Sequence, residues 1–270
     1  MRATVLVDNI SKEELCGEWG LSIYIEYDGR NILLDTGASD RFIQNGEKLG
    51  KKVENVDYAV LSHAHYDHSY GMNAFFQCNE KADFYLRKGS QENCYTKKWI
   101  FHKYIGLPKG ILKAEEERIV FVENDFTLCP GVTLIPHKTA GLDQIGRENH
   151  MYVWTKKGWK ADDFSHEQSM VFETEKGLVI FNSCSHGGAD NIINEIKKTY
   201  PDKRIYALIG GFHIFGKPEE KVRELAQKIK DTGIQEVYTG HCTGGRSYRI
   251  LKEELGDMVH QLSTGLVIEI

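Results

Sequence analysis

The 270-residue sequence contains no CxxC pair; its 6 cysteines, Cys16, Cys78, Cys94, Cys129, Cys184 and Cys242, are scattered. That spacing argues against a zinc ribbon or a dithiol redox centre and fits reduced thiols in a cytosol. Cys16, Cys78 and Cys129 read as small buried hydrophobes. No apolar run approaches the roughly 18 residues that a membrane span needs. The opening stretch, Met1 to Asp8, is short and apolar, meets an acid at once, and lacks the long core and cleavage site of a signal peptide. We therefore expect a cytoplasmic protein with no membrane partner. Positive charge is not in excess: 34 Lys and Arg stand against 39 Asp and Glu, a net charge of -5. Nothing in that overall balance argues for nucleic acid. There is no linker, low-complexity tract or fixed-period repeat.

What is present is a globular composition, 41% hydrophobic and 27% charged. Leu21, Ile23, Ile25 and Tyr27 alternate, Asp28-Gly29 turns the chain, and Asn31 to Asp35 returns as the second arm of a hairpin. A helix bearing Phe42, Ile43 and Leu49 follows, then a buried strand from Val56 to Leu61. The C-terminal part alternates strand and helix. Strands are expected at Ser169 to Phe172, Leu178 to Phe181, Arg204 to Ile209, Ile234 to Tyr238 and Gly265 to Ile270. Helices are expected at Ala189 to Thr199, Pro218 to Asp231 and Arg246 to Leu255. The order predicts mixed α/β architecture, two sheets between helical layers. Residues 1–270 read as a single domain, with irregular insertions near 88–117 and 137–166 that suit lids or binding loops.

The segment His63-Ala64-His65-Tyr66-Asp67-His68 carries three His and an Asp within six positions. A chance match of this kind is on the order of one in a thousand. His63 and His65 sit two apart at a strand end and can face one way. Asp67 and His68 follow at a turn into a helix and can serve a second centre. Imidazoles and a carboxylate suit zinc, manganese or iron.

This motif, preceded by a strand ending in Asp35-Thr36-Gly37, resembles the metallo-β-lactamase fold superfamily over essentially the whole chain. The resemblance implies an αββα four-layer sandwich with a metal site at one edge of the sheets. It implies His63, His65, Asp67, His68, His186 and His241 as metal ligands, with Asp35 supporting the metal-binding loop. The family's bridging Asp has no counterpart in Asn182-Ser183-Cys184-Ser185-His186. Cys184, His186, Glu167 or water alone are the candidates to replace it, so one metal or two remain open. His166 and Glu167 lie where the family's third His is usually found. The motifs around Cys184, Gly210-Gly211-Phe212-His213 and His241-Cys242-Thr243-Gly244 are similar to the branch of 7,8-dihydropterin-6-methyl-4-(β-D-ribofuranosyl)aminobenzene-5'-phosphate synthase-like proteins.

The expected function is a metal-dependent hydrolase with two divalent ions, zinc best suited, acting on a phosphate ester, other ester or lactone. The metal makes hydroxide available near neutral pH. Asp67 orients it and His213 protonates the leaving group. Gly187-Gly188 and Gly244-Gly245 precede helices whose N–H groups could face an anion. With Arg246, Lys97 and Lys98 they favour a small anionic or phosphorylated substrate. Two other classes compete: an iron-dependent redox enzyme, and a metal-bearing ligand binder or sensor without turnover.

Overall fold

The computed structural model describes residues 1–11 and 14–270. Alternation of apolar residues builds two seven-stranded sheets. The first runs Val267–Glu269, Arg2–Val7, Ser22–Tyr27, Arg30–Leu34, Tyr58–Val60, Phe84–Arg87, Ile119–Val122. The second runs Val259–Gln261, Glu236–Thr239, Ile205–Ile209, Gly177–Phe181, Gln168–Thr174, Val132–Pro136, Phe126–Cys129. Side chains on a strand point alternately to opposite faces. Ile23, Ile25, Ile32 and Leu34 of the first sheet therefore meet Val179 and Phe181 of the second in the central core.

The outward sets need helical cover. Tyr24 and Leu33 pack with Phe42, Met72 and Phe75, which come from the helices Arg41–Lys48 and Met72–Cys78. Leu178 and Ile180 pack under Ile192, Val222 and Ile250, from the helices Ala189–Thr199, Glu219–Asp231 and Gly245–Leu255. The result is mixed α/β, with helices outside two facing sheets. Each fully buried Ile or Phe contributes about 1.5–3 kcal/mol to this packing.

The insertions are not irregular. Strands Gly158–Ala161, Met151–Thr155, Cys94–Lys98 and Phe101–Tyr104 form a third, antiparallel sheet that draws on both. Its central pairing, Tyr95 with Tyr152, joins segments far apart in sequence. No local turn signal announces such a contact. Cys129 is buried as expected, but Cys16 is exposed and Cys78 half-buried. Among the described residues, no helix is long and apolar enough to cross a membrane.

Candidate metal centre

Parallel pairing delivers loops to one edge. Strand Arg30–Leu34 runs parallel to Tyr58–Val60, and Gly177–Phe181, Ile205–Ile209 and Glu236–Thr239 run parallel to one another. Their carboxyl ends carry Asp35, residues 62–68, 182–186, 210–213 and 240–243. Carboxyl ends of parallel strands are where such sheets place ligands. The backbone there is bent hard: Asp35, Ser185, His213 and His241 hold φ of 60°, 50°, 49° and 46°. Left-handed non-glycine residues cost of order 1 kcal/mol or more each and cluster at functional sites. Gly210 has φ of 146°, and a Cβ there would stand 1.8 Å from the Asn182 carbonyl oxygen.

The six expected ligands form two groups. In the first, the rings of His63, His65 and His186 lie 4.6–4.9 Å apart, centroid to centroid. His63 Nε2, His65 Nε2 and both ring nitrogens of His186 are buried without any hydrogen-bond partner. Orphaned buried nitrogens are costly unless something absent from the protein chain satisfies them. In the second group, His68 Nε2 lies 3.1 Å from His241 Nε2 and 3.2 Å from Cys184 Sγ. Asp67 Oδ2 lies 3.5 Å from His241 Nε2. Ligands about 2.1 Å from one tetrahedral ion are about 3.4 Å apart. These separations therefore fit donors gathered around a metal. Cys184 falls in a common group with His63 and His68, and in another with His241 and Cys242.

Supporting hydrogen bonds fix which nitrogen each ring presents. Asp35 accepts from the Ser62 amide at 2.7 Å and from Ser62 Oγ at 2.7 Å, and its Oδ2 faces His68 Nδ1 at 2.8 Å. His68 thus carries its proton on Nδ1 and turns the Nε2 lone pair inward. Because Ser62 Oγ donates to Asp35, it accepts from His63 Nδ1–H at 2.8 Å, which likewise frees His63 Nε2. His241 Nδ1–H donates to Asn9 Oδ1 at 3.1 Å, and the His241 amide donates to Asp8 Oδ2 at 3.0 Å. This is the outer support that metal-binding histidines require.

The electrostatics agree with that arrangement at the first group, whereas at the second Cys242 and Asp67 outweigh burial and raise the His241 pKa to about 9. Burial, reinforced by the neighbouring His68 and His65, drives the His63 pKa far below its usual value. Burial does the same for His186, and it takes His65 to about 3. Burial alone would raise the Asp67 pKa, but His68 and His241 outweigh it and hold the carboxylate ionised. Neutral imidazoles beside an ionised carboxylate are the protonation states that bind divalent metals.

All six residues expected as ligands, His63, His65, Asp67, His68, His186 and His241, meet at this edge, with Asp35 behind them. His213 is half-buried, its ring 4.3 Å from that of His186. A cavity of about 190 Å³ opens over the centre, lined by Trp19, Tyr66, Thr96, Ile105, Met151 and His213 among others. The third sheet supplies Thr96 and Met151 to its wall.

Other expectations need correction. Arg246 is turned to Glu219 on the neighbouring helix, at 3.6 Å, because a solvated ion pair is available there. Lys97 and Lys98 are exposed on the third sheet, and none of these three cations lines the cavity. The Gly187 amide is not free for an anion. Glu167 accepts from the His186 amide at 3.0 Å and from the Gly187 amide at 3.2 Å. Glu167 therefore braces the ligand loop. His166 accepts the Ala64 amide N–H on Nδ1 at 3.2 Å, so its proton sits on Nε2 and is donated to Asp162 at 3.0 Å. It supports the His63–His65 loop from the second insertion. His137, without motif support in the sequence, is buried between Glu167 and Glu195. Ser62, Asn9 and Asp8 were also missed. A Ser beside the first His was the one available signal; Asp8 and Asn9 reach His241 across more than 230 residues.

The family model of the metallo-β-lactamase superfamily matches residues 20–146, which include the His63 to His68 segment. Over its full length the fold superposes on the crystal structure of Tm1679, described as a metal-dependent hydrolase of the β-lactamase superfamily. That match has a TM-score of 0.85 and 28% identity, covering 100% of this chain and 99% of the other. Residues 20–146 thus match the metallo-β-lactamase superfamily, and the whole chain shares its fold. Among curated relatives of this chain is the 7,8-dihydropterin-6-methyl-4-(β-D-ribofuranosyl)-aminobenzene-5'-phosphate synthase of Methanocaldococcus jannaschii. The two are 25% identical over 264 residues, 93% of this chain and 89% of that one. YhfI from Bacillus subtilis, at 11% identity and a TM-score of 0.61, shares the metallo-β-lactamase fold. The superfamily consists largely of metal-dependent hydrolases, and its fold implies divalent metal binding.

Proposed function

We propose that the protein is a metal-dependent hydrolase with two metal positions, acting on an ester-like bond of a small molecule. The observation that carries this reading is the set of buried, unpartnered nitrogens of His63, His65 and His186 beside the close group of Asp67, His68, His241 and Cys184. His63, His65 and His186 would hold one ion; Asp67, His68 and His241 the other, with Cys184 in the place of the missing bridging carboxylate. Divalent ions held there acidify bound water and polarise a scissile bond. Asp67, kept ionised by its neighbours, accepts a hydrogen bond from the attacking water and orients it. His213, at the cavity wall, gives a proton to the departing group. The two insertions act as a lid: Thr96, Ile105 and Met151 narrow the entrance and exclude bulk water.

The cavity admits a group of modest size with an apolar flank, packed against Trp19 and Met151. None of Arg246, Lys97 and Lys98 lines the cavity, so an anionic group of the substrate would depend on ions held by the histidine cluster for its countercharge. The name of the M. jannaschii relative favours a second reading, displacement by a nucleophile other than water. The test is a panel of phosphodiesters, phosphomonoesters, carboxylic esters and lactones, offered to metal-loaded protein and to His63→Ala. Turnover by the first alone supports hydrolysis. No turnover of any member, with two metals bound, refutes it and leaves displacement or ligand binding.

A further inference from the structure

Cys242 directly follows a ligand, yet its sulfur has no part in the scheme above. The His213 amide N–H donates to Cys242 Sγ at 3.2 Å, and Cys184 Sγ lies 3.4 Å away. Cys242 Sγ, Cys184 Sγ and a His241 nitrogen form one group with all members within 4.8 Å of one another. The residue is only 3% exposed. Room for the sulfur comes from Gly211, where a Cβ would stand 2.5 Å from it. A backbone N–H aimed at a sulfur marks that sulfur as an acceptor, and hydrogen bonds of this kind tune metal-bound thiolates.

We propose that Cys242 is a thiolate donor to the second metal position. The inference rests on the metal-centre reading above and goes beyond it. Asp67, His68 and His241 then share the second position with the sulfurs of Cys184 and Cys242. Sulfur donors favour zinc, whereas manganese and magnesium prefer carboxylate, carbonyl and water. The centre is asymmetric as a result. The second position is filled by protein donors and holds its ion firmly. The first, with three histidines and only the shared Cys184 sulfur, would keep the open position of a catalytic site.

Cobalt(II) is the probe, loaded into metal-free protein in a Cys16→Ser background so that the exposed thiol takes no part. Sulfur-to-cobalt charge transfer in the near ultraviolet reports thiolate ligation independently of activity. A shared Cys184 and a single-position Cys242 predict that Cys242→Ser loses about a third of that band, that Cys184→Ser loses the larger part, and that the double variant loses all of it. Cys78→Ser leaves it unchanged. In competition, Cys242→Ser loses about tenfold or more of the preference for zinc over manganese. Serine differs by one atom and preserves the fold, which circular dichroism checks; Cys242→Ala is the second variant. An undiminished band in both Cys242 variants overturns the inference while the metal centre stands. Two cobalt ions bound with no sulfur band also overturns it alone. No cobalt uptake by the parent protein brings down the metal-centre reading as well.

Discussion

Replacing Glu167 with Gln tests how the ligand loop is held. In the native protein Glu167 is completely buried and accepts from the His186 and Gly187 amides, and it pairs with His137. His137 in turn meets Glu195 at 3.1 Å. Burial alone would lower the His137 pKa, but Glu167 and Glu195 outweigh it and raise it from 6.5 to about 9. That displacement corresponds to about 3 kcal/mol of folding stability. Because the folded value is raised, this stabilisation is fully present below 6.5 and is lost as pH rises through about 9. At the acid end Glu195, whose pKa is lowered by His137 against the effect of burial, releases its own contribution as it protonates. Glu167→Gln removes the charged partner of three donors and leaves His137 with one carboxylate. The expected loss is about 3–4 kcal/mol near pH 6 in metal-free protein. The difference from wild type narrows to about 1 kcal/mol by pH 9.5. Urea unfolding of both proteins across this range measures it. A difference that stays constant with pH, or lies below about 0.5 kcal/mol throughout, refutes the argument.

Three further outcomes are expected. Asp35→Asn loses the acceptor that fixes the His68 tautomer, so metal affinity falls about 10–100-fold while the fold survives, read by chelator competition. His213→Ala keeps its metal content by elemental analysis but loses about 10²–10⁴-fold in kcat for a substrate whose leaving group needs a proton, and less for an activated leaving group. Equal loss on both substrates contradicts the proton-donor role. Met151→Ala widens the cavity wall and raises KM for an apolar substrate more than it lowers kcat, measured by steady-state kinetics.

The sequence carried the periodicity of the two main sheets because inward and outward residues alternate there, as in Ile23, Tyr24 and Ile25. It also carried the helix from Ala189 to Thr199, whose boundaries coincide with the observed ones. The third sheet was illegible, because its pairing of Tyr95 with Tyr152 depends on contacts that no local pattern records. The six proposed ligands were visible as residue types at strand ends. Their supports were not: Asn9 and Asp8 reach His241 only after the first sheet closes against the second. Lys97, Lys98 and Arg246 misled because a cation near a site in sequence can still prefer solvent and an exposed partner such as Glu219.

The central claim is that the buried nitrogens and sulfur at the sheet edge hold two divalent ions. Elemental analysis of protein purified without added metal, with an anaerobic aliquot and the His186→Ala variant beside it, tests this most directly. The account predicts about two equivalents of zinc in the wild type and about one in His186→Ala, which loses a ligand of the first position only. Less than one equivalent in folded wild-type protein, unchanged after incubation with zinc, would contradict it.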